Sequence, residues 1–256
     1  MTLRTGCIHG VRPAGIQPLS QRAALHMTTV PTEWDWTKLC PADGDARTND
    51  YLGTCVQCAD FALIEIILAN VAGSGSPRWK PTDDMIISRY TAETGYNPIT
   101  GVPDNGTDSA ADLTNWVTSG IKIPELQRDI APWWATVDPM DDNDMAIGLG
   151  CSPLLVSLNL PEGWEEAETN PLAWMKPPGA PTNEGHRVLA VKFMGKIRTV
   201  RSWGMDLQVG EEWWQQAVVS VDAVWSTDLL NAIGTTPMGL DISALASDMA
   251  SVTSSA

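Results

Sequence analysis

Gly53-Thr54-Cys55-Val56-Gln57-Cys58-Ala59-Asp60-Phe61 leads from a turn into an apolar run that ends at Val71. Leu63, Ile64, Ile66, Ile67 and Leu68 fall in that run with no proline or internal glycine. This predicts a mostly buried helix, stopped by Gly73 and Ser74. Cys58 then lies in the first helical turn, where unpaired N–H groups and the helix dipole stabilise a thiolate. The plainer reading of Cys58 is a small buried hydrophobe.

Outward from this stretch, Thr82 is placed to cap a second helix from Asp83 to Thr94, with Gly95 as its stop. Thr107 or Asp108 starts a third, which runs through Trp116 and Val117 and ends at Gly120. The later chain changes character. Residues 153–159, 187–193, 197–203 and 216–221 read as strands, with Met194-Gly195-Lys196 turning a hairpin. Residues 161–185 form a Pro/Gly-rich insertion between strands. Helices first and strands second predict an α+β protein of two lobes. The expected domains are an N-terminal arm (1–30), the main domain (31–225, mainly helical to about 140 and β-rich from about 141) and a C-terminal tail (226–256).

The 256 residues carry a net charge of −15, which argues against nucleic-acid or anionic-membrane partners. No run reads as a transmembrane segment, and the first 30 residues lack the apolar core of a classical secretory signal. The expected location is therefore cytoplasmic or particle-associated. Five cysteines, an odd number, point to free thiols. Cys55 and Cys58 have redox-pair spacing but no preceding βαβ pattern. Cys7-Ile8-His9 is a metal or nucleophile pair too small to make a site. No metal and no cofactor is expected.

Taken together, these segments resemble the papain-like cysteine peptidases. Pro31-Thr32-Glu33-Trp34-Asp35-Trp36 is similar to the family's Pro-x-x-x-Asp-Trp opening. The stretch Gly53 to Phe61 resembles Gly-Ser-Cys-Gly-Ser-Cys-Trp-Ala-Phe, and Asn105-Gly106 through Gly120-Ile121 resembles the Gly-Gly helix. Cys151 to Ser157 resembles its Gly-Pro-Val-Ser-Val strand. Gly185-His186-Arg187-Val188-Leu189-Ala190-Val191 is similar to Asn-His-Ala-Val-Leu-Ala-Val, and Arg201-Ser202-Trp203-Gly204 to Asn-Ser-Trp-Gly. The resemblance spans roughly residues 31–225. It implies a papain-like fold with a cleft between a helical and a β-rich lobe. Across that cleft Cys58 would be the nucleophile and His186 its base, acting on a peptide or protein substrate. Taken alone, His186 also reads as a satisfied histidine at a strand edge.

Four departures follow from the same match. Arg201 stands at the position of the Asn that orients the histidine, and arginine cannot accept a hydrogen bond. A one-residue slip would bring Ser202 into use instead, with Trp203 as the site aromatic. Leu52 stands at the oxyanion position, leaving the Cys58 N–H as sole donor. Cys55 matches a half-cystine whose partner region, about 80–120, holds no cysteine. Thirty residues ahead of the domain are too few for the family's long pro-segment. These departures favour a catalytically degraded domain kept as a structural or assembly subunit, for instance of a virion, with other protein subunits as partners. The alternative is an active cysteine peptidase or amide hydrolase using Cys58 and His186. A thiol–disulfide oxidoreductase using Cys55 and Cys58 is the third class.

Overall fold

The computed structural model describes residues 3–13, 16, 18–19, 32–123, 128–130 and 132–226. The expected tail beyond Ser226 lies outside the described residues, as does most of the expected arm after Pro13. In chain order the elements are β1 (Cys7–Ile8), β2 (Glu33–Asp35), α1 (Cys55–Ala72), α2 (Asp83–Thr94), β3 (Thr107–Asp108), α3 (Ser109–Ser119), β4 (Ile121–Ile123), β5 (Arg128–Ile130) and β6 (Pro132–Val137). There follow α4 (Asp142–Cys151), β7 (Leu154–Leu160), β8 (Glu184–Met194), β9 (Ile197–Ser202), β10 (Met205–Val209), α5 (Glu211–Ala217) and β11 (Val218–Ser226).

The helical lobe follows its local signals. The Thr82 hydroxyl accepts the Met85 N–H, and Gly95 ends α2 in the left-handed region at φ +75°. Asp108 caps α3 through the Ala110 and Ala111 N–H groups, and Gly120 closes it. α1 is buried on nearly every side, so it carries almost no polar face. Among the described residues it is long and apolar enough to cross a membrane, at mean hydropathy 1.7, yet most of it is buried inside the protein. That corrects the expectation that no run approaches such a length.

The second lobe is a seven-stranded antiparallel sheet in the order β10-β9-β8-β7-β11-β6, with β2 added alongside β8. β7 pairs the first part of β8, and β2 pairs its last three residues, where β7 has ended. Six of the seven β7 residues are buried, as a strand covered on both faces requires. α1 packs against β7, β8 and β9 and so joins the lobes. Helices and strands are less segregated than the sequence suggests: β2 comes from the early chain, and α4 and α5 belong to the β-rich lobe. The predicted 216–221 strand divides, with Gln216 and Ala217 ending α5 and the strand running 218–226.

Candidate active site

Cys55, not Cys58, is the first residue of α1, with Thr54 as its N-cap. The Cys58 N–H already donates to the Thr54 carbonyl at 2.9 Å. It is therefore an ordinary intrahelical group and not a free oxyanion donor, whereas the N–H of a first helical residue has no intrahelical acceptor. The Cys58 sulfur lies 3.6 Å from the Thr54 hydroxyl and 3.7 Å from that of Thr48. Burial pushes the Cys58 thiol up, and the two hydroxyls and Arg47 offset this only in part. Burial, then the neighbouring Cys7, push the Cys55 thiol well up, against a hydrogen bond from the Arg187 backbone N–H. Asp60 pairs with Arg89 at 3.0 Å.

Cys55 and Cys58 share a small cavity of about 40 Å³ with Asn49, Arg187, Ser202 and Trp203. Among the described residues only Arg47 (φ +54°) and Trp203 (φ +49°) are non-glycines with positive φ, and both line this cavity. Such backbone costs about 1–3 kcal/mol and tends to collect at functional sites.

His186 sits within β8, opposite Leu158 of β7, and is fully buried. Its Nε2 lies 2.7 Å from the Ser202 hydroxyl. Its ring stacks on Trp203 at 4.2 Å. Trp203 in turn stacks on Trp164 at 5.3 Å and meets Trp174 edge-on. The 161–185 insertion is thus an aromatic buttress behind the imidazole. Nδ1 has no hydrogen-bond partner among the described residues, so neither cysteine is hydrogen-bonded to it. Arg201 lies on the opposite face of its strand from Ser202, as strand alternation demands, and lines the cavity of Cys55 and Cys58. Its Nε and Nη2 bind Asp206 at 2.8 and 3.0 Å, and its Nη1 reaches Cys40. The positive charge expected beside His186 is therefore engaged elsewhere.

Burial alone takes the His186 pKa down to about 3. The unfolded chain then binds a proton below about pH 6.5 that the folded chain refuses. His186 contributes stability above that pH, and the contribution is lost as pH falls from 6.5 toward 3, at about 1.4 kcal/mol per unit. Glu93, pushed up to about 7 by burial, works in the opposite sense over part of this window. The readout is accordingly a difference. Chemical denaturation from pH 7 to 5 is expected to show wild type losing about 2 kcal/mol relative to His186→Asn. Parallel curves would mean that His186 is protonated in the folded state.

The arm fills the cleft. The Gly6 N–H donates to the Gly185 carbonyl at 3.1 Å, and the Gly6 carbonyl accepts from the Thr107 N–H at 2.8 Å. β1 runs parallel to β3, with Cys7 opposite Thr107. Arg12 reaches the buried Asp222 of the sheet through Nε at 2.9 Å and Nη2 at 2.5 Å. The Arg4 N–H donates to the Asn49 backbone carbonyl at 3.2 Å. With its amide oriented to satisfy both neighbours, Asn49 donates to the Arg4 carbonyl at 3.3 Å and accepts from Trp203 Nε1 at 3.2 Å. Trp203 Nε1 also reaches the Arg4 carbonyl at 3.1 Å. An extended backbone thus lies between the lobes with one carbonyl held by Asn49 and Trp203.

No family model and no curated protein matches the chain. Solved structures do. Xylellain, a cysteine protease from Xylella fastidiosa, superposes with a TM-score of 0.64 at 17% identity, over 88% of this chain and 97% of its own. Digestive procathepsin L 3 of Tenebrio molitor gives 0.54 at 10% identity, over 84% and 75%. The precursor of stem bromelain gives 0.52 at 14% identity, over 88% and 78%. The chain has the papain-like fold.

The sequence match to the papain-like motif also admits a second register, one helical turn earlier. The family motif quoted above contains Gly-Ser-Cys twice, and Gly53-Thr54-Cys55 matches either copy. Matching the second copy makes Cys55 the counterpart of the family's nucleophile and Asn49, six residues earlier, the counterpart of its oxyanion glutamine. Leu52 then falls at the half-cystine, consistent with the absence of a partner. Leu52 packs on Tyr90 and Tyr96, in a cluster apart from the main core. Asn49, which lines the cavity with Cys55, is a position that the first register does not single out. The signal for it was this repeated Gly-x-Cys, together with a half-cystine that had nothing to pair with. Of the other named positions, Ser202 and Trp203 contact His186 and Arg201 does not.

Proposed function

We propose that the chain is a latent papain-like cysteine peptidase, acting on peptide or protein amides, whose own arm occupies the cleft. Cys55 is the nucleophile and His186 the base and acid. Ser202 is the residue that orients His186, and Asn49 with the Cys55 N–H forms the oxyanion site. The observation that carries this reading is the Arg4 carbonyl, held by Asn49 and Trp203, two residues that line the same cavity as Cys55. A substrate carbonyl in that place has its developing negative charge met by donors already aimed at it.

The chemistry follows from these placements. With Nε2–H donating to Ser202, Nδ1 holds a lone pair that takes the thiol proton. The Cys55 sulfur attacks the carbonyl carbon, and the imidazolium returns the proton to the leaving amine. Water then releases the acyl group. With the arm docked, burial keeps both the thiol and the imidazole neutral. Opening the cleft rehydrates both groups and so favours the ion pair.

Of the departures behind the degraded-domain reading, Leu52 loses its weight if Cys55 is the nucleophile, and the Arg201 guanidinium is engaged by Asp206. The arm, where the structure describes it, is engaged by its own chain. A test is the alkylation rate of Cys55 against pH in an arm-displaced chain, with and without His186→Ala. Fast alkylation already near pH 6 that depends on His186 is expected. Slow, histidine-independent alkylation rising only toward alkaline pH would restore the degraded domain and its structural role.

A further inference from the structure

The arm brings a second thiol onto Cys55. Gly6 lies against the backbone of Gly53, so close that a Cβ would come within 2.4 Å of the Gly53 carbonyl oxygen. One residue on, Cys7 joins Cys55 and Val56 in a buried cluster separate from the main core. Cys58 packs against the main core instead, with its sulfur toward Thr48 and Thr54. The two thiols that share surroundings are therefore Cys7 and Cys55, one from the arm and one from the helix that the arm covers.

Cys7 also has a base of its own. Its sulfur is 3.8 Å from His9 Nδ1, and His9 Nε2 is 2.8 Å from Asn159 Oδ1 on β7. A carboxamide oxygen only accepts, so Nε2 carries the proton and Nδ1 presents its lone pair to the thiol. The Cys7-Ile8-His9 pair, too small for a site by itself, becomes one when β7 supplies the third member.

We propose that Cys7 and Cys55 form a redox-sensitive disulfide that ties the arm into the cleft, with a hydroperoxide as oxidant and His9 as the base for Cys7. As the arm lifts, the Cys55 sulfur attacks one oxygen of hydrogen peroxide. The O–O bond breaks, one water leaves, and Cys55 becomes a sulfenic acid. As the arm returns, His9 Nδ1 takes the Cys7 proton and the Cys7 sulfur attacks the Cys55 sulfur. The S–O bond breaks, and hydroxide leaves as water with the proton from His9. Two thiols and one peroxide give one disulfide and two waters. Two thiols supplied by a reductant reverse the link. The pairing rests on the docked arm, and its consequence for activity rests on Cys55 as the nucleophile proposed above.

The test uses the full chain, reduced, desalted, treated with hydrogen peroxide, quenched with iodoacetamide and digested without reductant. A Cys7–Cys55 cross-linked peptide is expected by mass spectrometry. It should be lost on adding dithiothreitol, and it should persist in Cys58→Ser. In Cys7→Ser, Cys55 should advance to sulfinic acid instead. His9→Ala should form the link roughly tenfold or more slowly at pH 7. A Cys55–Cys58 link in wild type, or sulfinic Cys55 beside alkylated Cys7, would overturn the proposal. Peptide hydrolysis is not part of the readout. A link in a chain whose arm-displaced Gly6→Val form hydrolyses nothing removes the peptidase reading alone, and hydrolysis by that form without the link in wild type removes this inference alone.

Discussion

Gly6→Val raises the alkylation rate of Cys55 roughly 100-fold while leaving Cys151 protected. The Gly6 position has no room for a side chain: a Cβ there would lie 2.4, 2.6 and 2.8 Å from the oxygen, Cα and carbonyl carbon of Gly53. Those are backbone atoms at the entrance to α1 and cannot swing aside. On the other side Gly106, at φ +77°, would place a Cβ 2.0 Å from the Gly6 carbonyl oxygen. The arm therefore threads between two glycines on a third, and a branched residue at position 6 expels it. Expulsion gives up the bonds to Gly185 and Thr107, each worth about 1 kcal/mol. With the overlap, a shift of about 3 kcal/mol is reasonable, which is about 100-fold in the exposed population. Cys151 is the internal control. It ends α4, is buried, and its thiol is pushed up to about 12 by burial alone. If both cysteines become reactive together, the variant has unfolded. If Cys55 stays protected in a folded variant, the docked arm is not what shields it.

The parts of the fold that were legible in the sequence depend on neighbours in the chain. Thr82, Gly95, Asp108 and Gly120 announce α2 and α3 because a cap is a contact across two or three residues. The contacts of His186 with Ser202 and Trp203 join segments that carry compact local patterns. The arm was not legible. Cys7 pairs with Thr107 and Gly6 with Gly185, and nothing near residue 6 encodes either partner. α4 escaped because Gly148 and Gly150 weaken its helical signal. Gly148 is there for packing, since a Cβ would press on Leu154 at 3.1 Å. The choice between Arg201 and Ser202 needed the register of β8 against β9. Adjacent strand residues face opposite ways, so only one of the two can meet His186. Gly53-Thr54-Cys55 fits either copy of the family's repeated Gly-Ser-Cys step, so the motif by itself does not choose between Cys55 and Cys58 as the nucleophile.

Cys55→Ala and Cys58→Ala separate the two registers. In the Gly6→Val chain, hydrolysis of a fluorogenic peptide is expected to fall by about 1,000-fold or more with Cys55→Ala, as on removal of a covalent nucleophile. Cys58→Ala should stay within about threefold. Its N–H is held by Thr54, its sulfur faces two threonine hydroxyls, and no contact to His186 would be lost. Asn49→Ala should lower kcat by about 100-fold with little change in KM, because its amide acts on charge that develops only in the transition state. Leu52→Ala should act through stability instead, by loosening the packing on Tyr90 and Tyr96. Loss of activity with Cys58→Ala but not Cys55→Ala would return the nucleophile to the second cysteine and leave the site without a side-chain oxyanion donor. Hydrolysis absent from Gly6→Val itself, with Cys55 freely alkylated, would leave a papain-like scaffold whose open cleft performs no chemistry.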